Sequence, residues 1–114
     1  MTLREERRRG YRISIRLEVI GTSGRFEVDG VLTNISSSGA LIEETSMQPE
    51  IRTSCVLHVY LKPPDAFKVA SPFELTGRIV RHSSTGFAIE FTDPFDPDLR
   101  RLIADAAAIL VASR

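Results

Sequence analysis

Apolar residues recur at every second position over most of this chain, in runs broken by short glycine-, proline- and serine-bearing stretches, and that period admits strands far more readily than helices. Ile13, Ile15, Leu17 and Val19 alternate with Ser14, Arg16 and Glu18. Successive strand side chains point to opposite faces, so this run has one apolar and one polar face. Gly21-Thr22-Ser23-Gly24 then reads as a turn. Phe26 to Thr33 reads as a second strand, with Phe26, Val28 and Leu32 apolar and Gly30 marking a bulge. Ala40 to Glu43 follows as a short third strand. After a loop holding Pro49, Ser54 to Leu61 places Cys55, Leu57, Val59 and Leu61 on one face and reads as a central strand. Beyond Pro63-Pro64-Asp65, the stretch Val69 to Arg81 carries Phe73, Leu75, Gly77 and Ile79 at alternate positions. Ser83-Ser84-Thr85-Gly86 turns it into Phe87 to Phe91, the clearest hairpin in the chain.

The period changes only near the C-terminus. Asp96-Pro97-Asp98 supplies an N-cap, a proline at the first helical position and an acid in the first turn. Leu99, Leu102, Ile103, Ala106, Ala107 and Leu110 follow at helical spacing and form one apolar stripe. Five or six antiparallel strands and one helix imply an all-β chain closed as a small barrel, with the helix covering a mouth or wall. At 114 residues and 42% hydrophobic, there is material for one core. The expected organisation is a single domain over residues 1–114: an arginine-rich segment at 1–12, a barrel at 13–92 and a helix at 96–112.

The formal net charge of zero hides an asymmetry. Residues 1–16 hold six arginines, Arg4, Arg7, Arg8, Arg9, Arg12 and Arg16, against Glu5 and Glu6. The remaining residues carry nine basic and thirteen acidic groups. A polymer-binding protein spreads its basic groups over a face and has a high pI, whereas the pI here is about 6.7. A compact anion is the expected ligand, not a nucleic-acid polymer. Few exposed aromatics are evident for stacking single-stranded bases. No apolar run is long enough for a membrane span, and the charged N-terminus does not resemble a secretory signal, so a cytoplasmic protein is expected. The lone cysteine, Cys55, sits in an apolar run and reads as a buried small hydrophobe. His58 and His82 are far apart and lack ligand spacing, so no metal is expected; His58 reads as a strand residue pointing out of the core. Ser23 and the Ser36 to Ser38 cluster lack a nucleophile-elbow context, so no enzyme activity is expected.

Two short stretches carry the functional signal. Arg7-Arg8-Arg9-Gly10-Tyr11-Arg12 supplies guanidinium groups that grip phosphate and the acceptor edge of guanine. Asn34-Ile35-Ser36-Ser37-Ser38-Gly39 supplies small polar groups and a glycine that let a ligand lie against backbone. The i, i+4 spacing of Arg4, Arg8, Arg12 and Arg16 also suits a solvated helical stripe, but Gly10 and the alternation from Ile13 oppose a helix beyond residues 3–9. Alone, the second stretch reads as a polar hairpin loop.

Arg8-x-x-x-Arg12 followed by Asn34-x-Ser36-x-x-Gly39 resembles the signature of the PilZ domain, a bacterial receptor for cyclic di-GMP. Gly77-Arg78-Ile79-Val80-Arg81 and Gly86-Phe87-Ala88-Ile89-Glu90-Phe91 are similar to that family's last hairpin, so the resemblance covers residues 6 to about 110. It implies a six-stranded antiparallel β-barrel with a C-terminal α-helix. It also implies that Arg8 and Arg12 hold guanine and phosphate from a segment mobile until the ligand arrives, with Asn34, Ser36 and Gly39 completing the site. Arg7, directly before the motif, resembles receptors that take a stacked pair of ligand molecules. Asn34 presents one acceptor where the family's aspartate presents two, so weaker binding is expected. Gly39 is expected in a positive-φ turn, its missing Cβ leaving room for the ligand. No output domain is expected beside the barrel, so the signal is expected to pass to an unidentified downstream protein, in motility, biofilm or surface-structure control. The alternative is a nucleotide-independent adaptor on the same fold.

Overall fold

Sheet edges expose unpaired backbone donors and acceptors, and this chain removes them by closing its sheet. The computed structural model describes residues 12–60, 72–93 and 95–112, with side chains described as far as residue 108. These hold β1 (Ile13–Ser23), β2 (Phe26–Ile35), β3 (Gly39–Glu43), β4 (Ser54–Tyr60), β5 (Phe73–His82), β6 (Phe87–Phe91) and helix α1 (Pro97–Ala112). The strands form a closed barrel in the order β1-β2-β3-β6-β5-β4, with β4 returning to β1 and every pairing antiparallel. This is the expected six-stranded barrel followed by a helix. The start of the predicted Val69–Arg81 strand, the whole arginine-rich segment but Arg12, Leu61, and the side chain of Leu110 lie outside the described residues.

The inward faces follow the sequence alternation. Val19, Leu32, Ile42, Leu57, Val59, Leu75, Ile79 and Phe87 are almost completely buried in the interior. Each such side chain contributes on the order of 1.5–3 kcal/mol by leaving water, before the entropy of ordering it is subtracted. Cys55 belongs to this core, and burial pushes its thiol up to about 11. At neutral pH the folded chain is therefore expected to resist a thiol reagent, with labelling appearing only as the barrel opens in urea; prompt labelling of native protein would contradict this burial. His58 does point outward, its Nε2 lying 3.6 Å from the Glu74 carboxylate.

Two expectations about β1 and β2 are corrected. Gly21-Thr22-Ser23 is not a turn. β1 continues to Ser23, because there it pairs with β2 on one side and β4 on the other, leaving Gly24 and Arg25 as the turn. Gly21 serves close packing: a Cβ there would sit 2.0 Å from the Val56 carbonyl oxygen. Gly30 is not a bulge, since it pairs in register with Val19; the β2–β3 register instead slips between Leu32 and Asn34. Phe26, the first apolar position of β2, is 62% exposed beside the turn.

At the end of the barrel the chain enters α1 as the sequence implies. The Asp96 carboxylate accepts the Asp98 N–H at 2.9 Å, while its backbone carbonyl accepts the Arg100 N–H at 3.1 Å. Asp98 accepts the Glu74 N–H at 3.1 Å, tying the first turn of the helix to β5. Leu99, Leu102 and Ala106 are buried, Ile103 and Ala107 partly so, and the stripe packs on β5 and β1. Arg101 lies over the Phe73 ring, 4.9 Å from its centroid.

Candidate ligand-binding groove

Four adjacent strands, β2, β3, β6 and β5, carry a groove on the outside of the barrel. Their registers set Asn34 opposite Leu41, Leu41 opposite Ala88, and Ala88 opposite Arg81. These residues make one row across the sheet, polar at both ends and small or apolar between. The groove has a volume of about 410 Å³ and takes Arg12, Asn34, Ser36, Gly39, Arg81 and Glu90 into its lining. That volume lies within the ordinary range of small-molecule pockets.

Both ends of the row exist because of bulges. Leu32 is fully buried, and strict alternation would turn Asn34 inward as well. One extra residue on β2, Thr33, resets the parity, and its hydroxyl donates to Glu43 at 2.9 Å. The Thr33 and Thr85 hydroxyls, with the Arg16 guanidinium adding charge, hold the Glu43 carboxyl below its usual range. On β5, alternation through Phe73, Leu75, Gly77 and Ile79 would send Arg81 into the core, where an unpaired guanidinium is very costly. The register slip between Ile79 and Arg81 makes Val80 the extra residue and leaves both Val80 and Arg81 exposed. Bulges re-aim side chains next to sites, and here two of them do so at opposite walls.

Between Asn34 and Gly39 the chain makes a tight connection. Asn34 and Ile35 complete β2 and Gly39 opens β3, so the loop proper is only residues 36–38. The Ser36 N–H donates to the Gly39 carbonyl at 2.9 Å. The Ser36 hydroxyl is buried and accepts the N–H groups of Ser38 and Gly39, each at 3.3 Å. Ser36 thus shapes the loop from within. The Phe91 N–H donates to the Ser38 carbonyl at 2.9 Å and fixes the loop to β6.

Gly39 departs from expectation. Gly24 is the glycine with positive φ among the described residues, and Gly39 is not in that region. Its requirement is steric and comes from the next strand, because a Cβ at position 39 would lie 2.3 Å from the Ile89 carbonyl oxygen. The absent side chain makes room for β6.

Arg12, Asn34, Ser36 and Gly39 are therefore brought to one groove. Arg12 is exposed immediately before β1. Arg7 and Arg8 lie outside the described residues. Arg16, within β1, pairs instead with Glu44, so the four-arginine stripe does not continue as a helix at this end. Sequence reading missed Val80, Arg81 and Glu90. A signal for Arg81 was present: an arginine at an inward position requires a strand to end or to bulge. Among the described residues no group of His, Cys, Asp and Glu is placed to hold a metal ion, and no helix is long and apolar enough to cross a membrane.

The PilZ domain family matches residues 4–108. The chain belongs to that family. Two solved PilZ-fold structures are similar to it. The Bacillus subtilis inhibitor of motility MotI/DgrA superposes with a TM-score of 0.67 at 18% identity, covering 94% of this chain; the chain spans 53% of that protein. The PilZ domain of CeSA from a cellulose-synthesizing bacterium gives a TM-score of 0.64 at 21% identity, covering 84% of this chain and 97% of that one. At these identities the likeness is one of fold. No curated protein matches the chain.

Proposed function

We propose that this PilZ domain is a non-enzymatic receptor for cyclic di-GMP that changes conformation on binding and signals to a protein partner, in motility, biofilm or surface-structure control. One observation carries the reading: Arg12 from one motif and Asn34, Ser36 and Gly39 from the other line a single groove, although β1 and most of β2 lie between them in sequence. Arg12 stands where the arginine-rich segment meets the barrel. Arg8 is four residues earlier, and four residues reach at most about 14 Å, so both guanidiniums can serve one bound dinucleotide. In this reading the arginines hold phosphate and the O6/N7 edge of guanine, while the groove's small central residues let the bases approach the sheet.

Arg7 extends the reading to a stacked pair of ligands per domain. Calorimetric titration is expected to saturate at two per chain, and saturation at one would rule out the stacked pair.

Asn34 sets the expected strength. Changing Asn34→Asp adds a second acceptor for guanine N1–H and N2–H, and is expected to tighten binding about tenfold, the scale of one charge-assisted hydrogen bond. Weaker or unchanged binding by that variant would show that Asn34 does not meet the guanine edge. The same asparagine favours the second reading, an adaptor on this fold that binds no nucleotide. Titration of the wild-type chain decides: heat and saturation support the receptor, and none at high micromolar cyclic di-GMP supports the adaptor.

A further inference from the structure

The groove wall farthest from Asn34 carries two opposite charges that lie outside both ligand motifs. Arg81 on β5 stands opposite Ala88 on β6, and Glu90 lies two residues further along β6. On the outer face they are diagonal neighbours across the β5 bulge. Val80, the extra residue of the β5 bulge, is 42% exposed and lines the same groove, as does the small side chain of Ala88. Among the described residues neither Arg81 nor Glu90 takes part in an ion pair; those present are Arg16 with Glu44 and His58 with Glu74. Arg78 faces Glu90 across the ladder, but it too remains outside these pairs.

Opposite charges that share an apolar shelf without neutralising each other suit a flat ligand with an acceptor edge beside a donor edge. Guanine has that pattern. O6 and N7 accept, and N1–H and N2–H donate on the adjoining edge. An arginine fork matches the first edge in bidentate fashion, and the two oxygens of a carboxylate match the second. We propose that Arg81 and Glu90 form a guanine-reading pair, with the base resting on Val80 and Ala88, so that the rigid barrel itself selects guanine over adenine. This rests on the receptor reading above. Adenine presents an amino donor where guanine has O6 and an acceptor where guanine has N1–H, so it sets donor against donor and acceptor against acceptor. The pair also relieves Asn34, with its single acceptor, from meeting every guanine donor alone.

The test is titration of cyclic di-GMP and cyclic di-AMP into the wild-type chain and into Glu90→Gln, Arg81→Lys and Arg25→Ala. The last is an exposed arginine in the β1–β2 turn and serves as the control. Circular dichroism establishes that each variant folds. The expected result is about tenfold weaker cyclic di-GMP binding for Glu90→Gln and for Arg81→Lys, a narrowed preference over cyclic di-AMP, and an unchanged control. The sign for Glu90→Gln is decisive, because a carboxylate that merely repels the ligand's phosphates would give tighter binding when neutralised. A wild-type chain that binds beside variants that bind equally well or better overturns the pair and leaves the receptor standing. A wild-type chain that does not bind overturns the receptor and the pair together.

Discussion

Gly39→Ala is expected to destabilise this domain by about 1–3 kcal/mol and to weaken the ligand groove at the same time. The new Cβ would meet the Ile89 carbonyl oxygen at 2.3 Å. That atom belongs to the backbone of the next strand, so no rotamer change relieves the contact and β3 and β6 must move apart. The displacement falls where Gly39 pairs with Glu90 and where the Gly39 carbonyl accepts from Ser36. A shift there reaches both the 36–38 loop and the groove wall. Urea unfolding measures the first effect and titration the second. Gly39→Asn separates this steric account from a left-handed turn: asparagine tolerates positive φ well, so a turn glycine would accept it. In a steric site asparagine is at least as damaging as alanine, and a stable Gly39→Asn variant would refute the contact.

Arg12→Ala, and separately Arg8→Ala, are expected to cost cyclic di-GMP binding roughly tenfold to a hundredfold, the worth of one charge-assisted contact of about 1.5–3 kcal/mol. The urea midpoint of Arg12→Ala is expected to remain where it is, since Arg12 is exposed and joins no ion pair among the described residues. Arg12→Lys tests the geometry of the contact. Lysine keeps the charge but lacks the planar fork, so it is expected to recover only part of the loss. Full recovery by lysine would assign Arg12 to charge alone, and undiminished binding by the alanine variant would remove it from the site.

Much of this domain is legible in its amino acids because much of it is decided locally. Alternation from Ile13 to Val19 and from Phe73 to Ile79 marks strands, since each strand's two faces belong to that strand alone. Asp96-Pro97-Asp98 announces the helix, since a cap is made within one turn. Arg12 and the Asn34–Gly39 stretch, which share the groove, are equally readable, because their residue types carry their chemistry with them. What the sequence left undecided are the properties of pairs of strands. A bulge is defined only against a partner, so the extra residues Thr33 and Val80, and through them the outward aim of Asn34 and Arg81, appear only once β2 lies on β3 and β5 on β6. Gly21 and Gly39 read as turn residues along the chain, yet each is required by a carbonyl on a strand distant in sequence, Val56 for one and Ile89 for the other. Residue type and local period determined the strands, the helix and the candidate chemistry. Register, set by long-range backbone pairing and barrel closure, determined which side chains face the groove and why two glycines stand where they do.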